Sequence, residues 1–110
     1  MDASPLPFLS CPLPAGGGPM YLAMLRLEVR INDAPRAKRR TVQAMLDKIH
    51  GHFNVSVAEV DRSNHPSESV IAVAAIGATR KEVREVLDRV ADAVSAHPRA
   101  EVLSLELTEL

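Results

Sequence analysis

From Tyr21 onward the chain alternates apolar and polar positions with a period of two. Tyr21, Ala23, Leu25, Leu27, Val29 and Ile31 fall on one side, and Arg26, Glu28 and Arg30 on the other. Successive side chains of a strand point to opposite faces, so this pattern predicts a strand with one buried face. Asn32 and Asp33 follow with oxygens suited to capping a helix. Pro35 suits the first helical turn, where its missing N–H would lack a partner in any case. The period then changes, and Val42, Met45, Leu46 and Ile49 recur at three and four on one helical stripe, with Gly51 as a left-handed terminator.

Phe53 to Asp61 returns to a strand pattern, with Phe53, Val55 and Val57 opposite Asn54 and Ser56. Arg62 to Ser69 is polar and contains Pro66, which predicts a hairpin loop. Val70 to Ile76 is apolar at every position, as in a central strand buried on both faces. Thr79 with Glu82 predicts a capping box for a second helix, whose stripe is Val83, Val86, Leu87, Val90 and Val94, with Pro98 beyond its end. In the last strand Leu103, Leu105 and Leu107 alternate with Ser104, Glu106 and Thr108.

The element order β-α-β-β-α-β predicts a ferredoxin-like α+β sandwich: a four-stranded antiparallel sheet, its first and third strands central, with both helices on one face. The open face should carry Arg26, Glu28 and Arg30 beside one apolar set from Val70–Ile76, Met24 and Val102. An apolar centre on such a face calls for a cover. A homodimer through the sheet face or an edge is the simplest one; a monomer with small valines and alanines left exposed is the plain alternative.

Ahead of this domain, which spans 20–110, residues 1–19 hold Pro5, Pro7, Pro12, Pro14, Pro19 and the run Gly16-Gly17-Gly18. Such a composition predicts a disordered head. Met20, directly before the first strand, reads as the natural start, with the head an over-long translation or a species-specific tail. The head does not read as a signal peptide, and no apolar run is long enough to cross a bilayer. Cys11 is the only cysteine, so no internal disulfide can form and a reducing, cytoplasmic setting is expected.

The formal charge of −1 argues against bulk electrostatic capture of nucleic acid or anionic membrane and directs attention to local patches. Arg36, Lys38, Arg39 and Arg40 form one at the front of the first helix. Cations there oppose the positive end of the helix dipole, which suggests an anionic partner such as RNA phosphate. The plain reading is a solvated face with arginine stems packed on neighbours. With only Phe8, Tyr21 and Phe53 as aromatics, RNA would be met through phosphates and shape rather than stacked bases.

Phe53-Asn54-Val55-Ser56-Val57-Ala58-Glu59-Val60-Asp61 resembles the second strand of the YlxP-like family of small bacterial proteins, and Lys38-Arg39-Arg40 its basic run. The resemblance runs from Met20 to Leu110. Ala34-Pro35-Arg36 stands where the family commonly has Ser-Leu-Lys, and Pro66 and Glu68 where its hairpin often carries tryptophan and arginine. The resemblance implies a ferredoxin-like fold, no assigned activity, and a gene found near those of an initiation factor and a ribosome-binding factor.

Other groups point to chemistry less strongly. His50 and His52 flank Gly51 without a third ligand, which makes a poor metal site, and His65 and His97 lie in loops elsewhere. Glu59 and Asp61, two apart on one strand face, suggest paired carboxylates but have no pocket-forming neighbours in sequence. The turn Asn32-Asp33-Ala34-Pro35 is acidic and lacks glycine, unlike the phosphate cradle of acylphosphatase-type enzymes or the turn of amino-acid-sensing domains. No catalytic residue, metal or small-molecule cofactor is assigned. The expectation is a non-enzymatic protein meeting ribosomal particles or RNA in translation or ribosome maturation; a protein-interaction or regulatory module is the alternative.

Overall fold

In the computed structural model, which describes residues 20–110, the period-two segment is strand β1, Tyr21–Ile31. It is followed by α1 (Pro35–His52), β2 (Ser56–Asp61), β3 (Glu68–Gly77), α2 (Arg80–Ser95) and β4 (Ala100–Glu109). The four strands form one antiparallel sheet in the order β2-β3-β1-β4, with β3 and β1 central. This is the ferredoxin-like arrangement. The expectations of a disordered head and of a start at Met20 lie outside the described residues.

The core follows from the two periods. Ala23, Leu25, Leu27, Val29 and Ile31 of β1 are at most 3% exposed, and so are Val42, Met45 and Ile49 of α1 and Val83, Leu87, Val90 and Val94 of α2. These stripes meet Ile71, Val73 and Ala75 of β3 in a single cluster between sheet and helices. Each fully buried aliphatic side chain contributes about 1.5–3 kcal/mol, so the helices are held by packing rather than by intrinsic propensity. Thr79 is the N-cap of α2, its Oγ1 accepting from Glu82 N at 3.1 Å, which is the first half of a capping box.

Several local expectations are corrected. Gly51 does not end α1; it lies in the last turn with open space at its Cβ position, and extended Phe53 closes the helix by donating its N–H to Ile49 O at 3.0 Å. The following strand therefore starts at Ser56 rather than Phe53, although Phe53 and Val55 still pack on the core. Ala34, not Asn32 or Asp33, is the N-cap of α1 and offers no side-chain bond. Asp33 instead accepts from Ala34 N and Thr41 Oγ1, at 2.8 and 3.0 Å.

Two bulges reset faces. One between Glu28 and Val29 in the β1–β4 pairing sets Val102 opposite Val29, on the helix side, so Val102 does not join the open face. A bulge also shifts register because its extra residue breaks the alternation. Strand β3 is buried on both faces only near Val70; on the open face Ala72 and Ala74 are half-buried and Ile76 is 58% exposed.

Candidate functional site

Three segments meet at the end of the sheet where β1 runs into α1. Ile31 N donates to Ser67 O in the β2–β3 loop at 2.6 Å, and Asn32 N donates to Arg99 O at 2.7 Å. Asp33 ties them further through an ion pair with Arg99 at 3.0 Å. The Ala34 N–H, the Thr41 hydroxyl and the Arg99 guanidinium hold the Asp33 carboxyl below the ordinary carboxylate range. In this turn the Ala34 N–H, a donor that a phosphate would use, is already taken.

The basic cluster divides in two. Arg36, Arg39 and Arg40 are exposed, and none has an ion-pair partner among the described residues. Their spacing of three and four puts them on one face of α1. No acidic residue stands in the first turn to offset them. The neighbouring cations are occupied: Arg30 pairs with Glu101, and Arg62 with Glu28 and Glu68.

Lys38 belongs to the other side. It is 3% exposed, and its Nζ donates to Arg62 O at 2.8 Å and Ser63 O at 3.2 Å, with Glu59 Oε2 at 3.7 Å. Ser69, fully buried, donates its hydroxyl to the same Glu59 oxygen. The ammonium thus joins α1 to the β2–β3 hairpin and is not presented with the arginines. Sequence could have shown this, because Lys38 precedes Val42, Met45 and Ile49 by four, seven and eleven residues and so lies on their stripe.

Glu59 and Asp61 do not share a face. The bulge between them leaves Glu59 opposite Ile71, on the helix side, and Asp61 opposite Val70, on the open side. Three of the four histidines serve local geometry. His65 Nδ1 accepts from Ser67 N and Glu68 N, His97 Nδ1 accepts from Arg99 N, and His52 Nδ1 lies 2.8 Å from Lys48 O. Among the described residues no three His, Cys, Asp or Glu side chains come together to hold a metal, and no helix is long and apolar enough to cross a membrane.

The open face is divided along the strands. Toward the Arg30 end it is an ion-paired lattice: Arg26 reaches Glu28 at 3.0 Å, and the Arg62 guanidinium spans Glu28 and Glu68 above fully buried Val70. Arg26 and Arg62 hold the Glu28 carboxyl below its ordinary value. Arg62 takes a left-handed φ of 57°, which turns the chain out of β2. Toward Tyr21 the face is apolar, with Leu22, Met24 and Ile76 between 36 and 58% exposed. Sequence reasoning placed charges on this face but could not place Arg62 across it, since that contact joins residues 34 positions apart.

Among solved structures, the de novo designed protein Foldit4 is similar in fold. The likeness covers 79% of this chain and 96% of that one at a TM-score of 0.50 and 16% identity. No curated protein matches the chain. A family model described as protein of unknown function (DUF503) matches residues 22–107, from the second residue of β1 into β4. The match supports the expectation of a family without an assigned function and does not carry the narrower YlxP-like name. This chain belongs to the DUF503 family of proteins of unknown function.

Proposed function

We propose that this protein is a non-enzymatic RNA-contacting protein that associates with ribosomal particles through the arginine face of α1. One observation supports the reading above others: Arg36, Arg39 and Arg40 stand exposed and unpaired on one helical face while the surrounding cations are neutralised. Arg36 stands in the first turn, where a cation opposes the positive end of the helix dipole, and Arg39 and Arg40 add like charge beside it. An anionic partner offsets that repulsion. Guanidinium groups suit phosphate oxygens, and the scarcity of aromatics on the open face favours backbone contact over base stacking.

Sedimentation with ribosomal subunits through a sucrose gradient tests it, beside the variant R36E/R39E/R40E. Three phosphate contacts give a salt slope of about −2.1 to −2.7, so binding should weaken about 20- to 40-fold between roughly 50 and 200 mM salt. The variant should stay at the top of the gradient. If both proteins stay there at low salt, the ribosomal reading fails.

A second reading, a homodimeric interaction module, rests on β4. This edge strand has ten residues without proline or lysine, and Leu103 and Leu105 are 38 and 50% exposed. Such an edge is a template for further pairing. Sedimentation equilibrium should then show a dimer that Leu105→Lys dissociates; a monomer at all concentrations would remove this reading.

A further inference from the structure

The two edges of the sheet are not alike. Strand β2 has six residues, a bulge between Glu59 and Asp61, and left-handed Arg62 directly after it. Short length and bulges are devices that keep an edge from pairing further. Strand β4 has ten residues, and past its bulge it pairs regularly with β1 from Ser104 to Glu109. The outer backbone groups of that stretch offer a ladder without such protection.

Its side chains select what can pair there. Leu105 and Leu107 stand opposite Leu27 and Leu25, on the helix side, yet Leu105 is 50% exposed. Arg80 and Arg84 of α2 reach β4 at Glu109, and the helix layer leaves Leu105 half open. On the other side of the sheet Ser104 and Glu106 are exposed. Strand β4 carries three glutamates and no cation. Glu101 meets Arg30 and Glu109 meets Arg80, but Glu106 has no ion-pair partner among the described residues.

A strand that pairs antiparallel with its own copy has a two-fold axis on one residue, and residues equally far from it face each other. An axis on Glu106 would set two carboxylates directly opposite, which is destabilising. One on Leu107 would set exposed Leu105 against Glu109, and one on Ser104 would run both arms into the bulge. An axis on Leu105 joins Leu105 to its own copy, Leu107 to Leu103, and Ser104 to Glu106. By symmetry each Ser104 hydroxyl then donates to the Glu106 carboxylate that lacks a cation. This register matches apolar with apolar and donor with acceptor.

We propose that two copies of this chain pair through β4 with the two-fold axis on Leu105, making one continuous sheet. The proposal rests on the homodimer reading and adds its register and its polar contact. The helices of both copies then lie on one side of that sheet. Helix α1, joined to β2 by Lys38 and Glu59, lies toward the far edge of each copy. The pairing leaves both arginine faces uncovered and does not depend on RNA binding.

Sedimentation equilibrium of the full chain should show a dimer. Ser104→Glu opposes a second carboxylate to Glu106 at both symmetric places and should weaken association about 10-fold. Adding Glu106→Ser exchanges donor and acceptor and should restore it. With Cys11→Ser removing the only native thiol, Leu105→Cys should oxidise to a covalent dimer faster than Glu106→Cys. Opposite residues lie about 4.5–5.5 Å apart, within disulfide reach, and diagonal ones about 7–8 Å. A dimer that Ser104→Glu leaves unchanged, that the exchange does not rescue, or that Glu106→Cys locks faster would overturn the register while the homodimer reading stands. A monomer at all concentrations would overturn both.

Discussion

Replacing Leu27 by alanine is expected to lower the unfolding free energy by about 4 kcal/mol, within the range of about 2–5 kcal/mol for buried leucine truncations. Leu27 is fully buried at the middle of β1, the strand that pairs on both sides. Its cross-strand neighbours are Ile71 and Leu105, and the two helices close over that side of the sheet. Neighbours fixed in two strands cannot easily collapse into the space that the lost isopropyl group would leave. Single domains have about 5–15 kcal/mol in total, so the variant should remain folded but with a much lower urea midpoint. An unchanged slope with a shifted midpoint would place the loss in packing. A loss under about 1 kcal/mol would contradict the central position assigned to β1.

Lys38→Ala is expected to cost about 3 kcal/mol, at the low end of the range for breaking a buried ion pair, since Glu59 retains some solvent access. The substitution strips a donor from the carbonyls of Arg62 and Ser63 and leaves Glu59 held only by Ser69. The damage should concentrate where α1 meets the hairpin, so amide exchange in residues 62–67 should quicken before the rest of the sheet loosens. If the chain binds RNA as proposed, the salt slope of that binding should stay as in the unmodified chain, because the ammonium faces inward. A slope reduced by about 0.7–0.9 would instead mean that Lys38 contacts a phosphate. Lys38→Met separates the two costs: it refills the apolar stem but not the hydrogen bonds, and should recover only part of the loss.

How much of this was legible in the residues differs from element to element. The alternation from Tyr21 to Ile31 and the three-four repeats of α1 and α2 dictate which side each residue turns to the core, and the buried residues follow them closely. The split of the basic cluster is also written in the spacing. Lys38 shares the stripe of Val42, Met45 and Ile49, and the three arginines share the opposite one. A cluster of four cations in the sequence is one buried anchor and three surface charges in space.

Other features depend on contacts that no local window contains. The bulges at Val60 and Leu103 arise where strands of unequal count must pair with β3 and β1, and they decide that Glu59 and Asp61 part company and that Val102 turns inward. The Arg62 bridge to Glu28 exists only because β3 lies between their strands in the sheet. Phe53 ends α1 because the core beneath it accepts the ring, which makes the left-handed role foreseen for Gly51 unnecessary. The sequence by itself determined the periods, and hence the elements, their order and their inward faces, because side-chain direction is a local consequence of backbone geometry. Only the tertiary structure decided which charges are neutralised, which carbonyls and carboxylate receive the Lys38 ammonium and where the bulges turn side chains over, because those depend on partners brought in from distant strands.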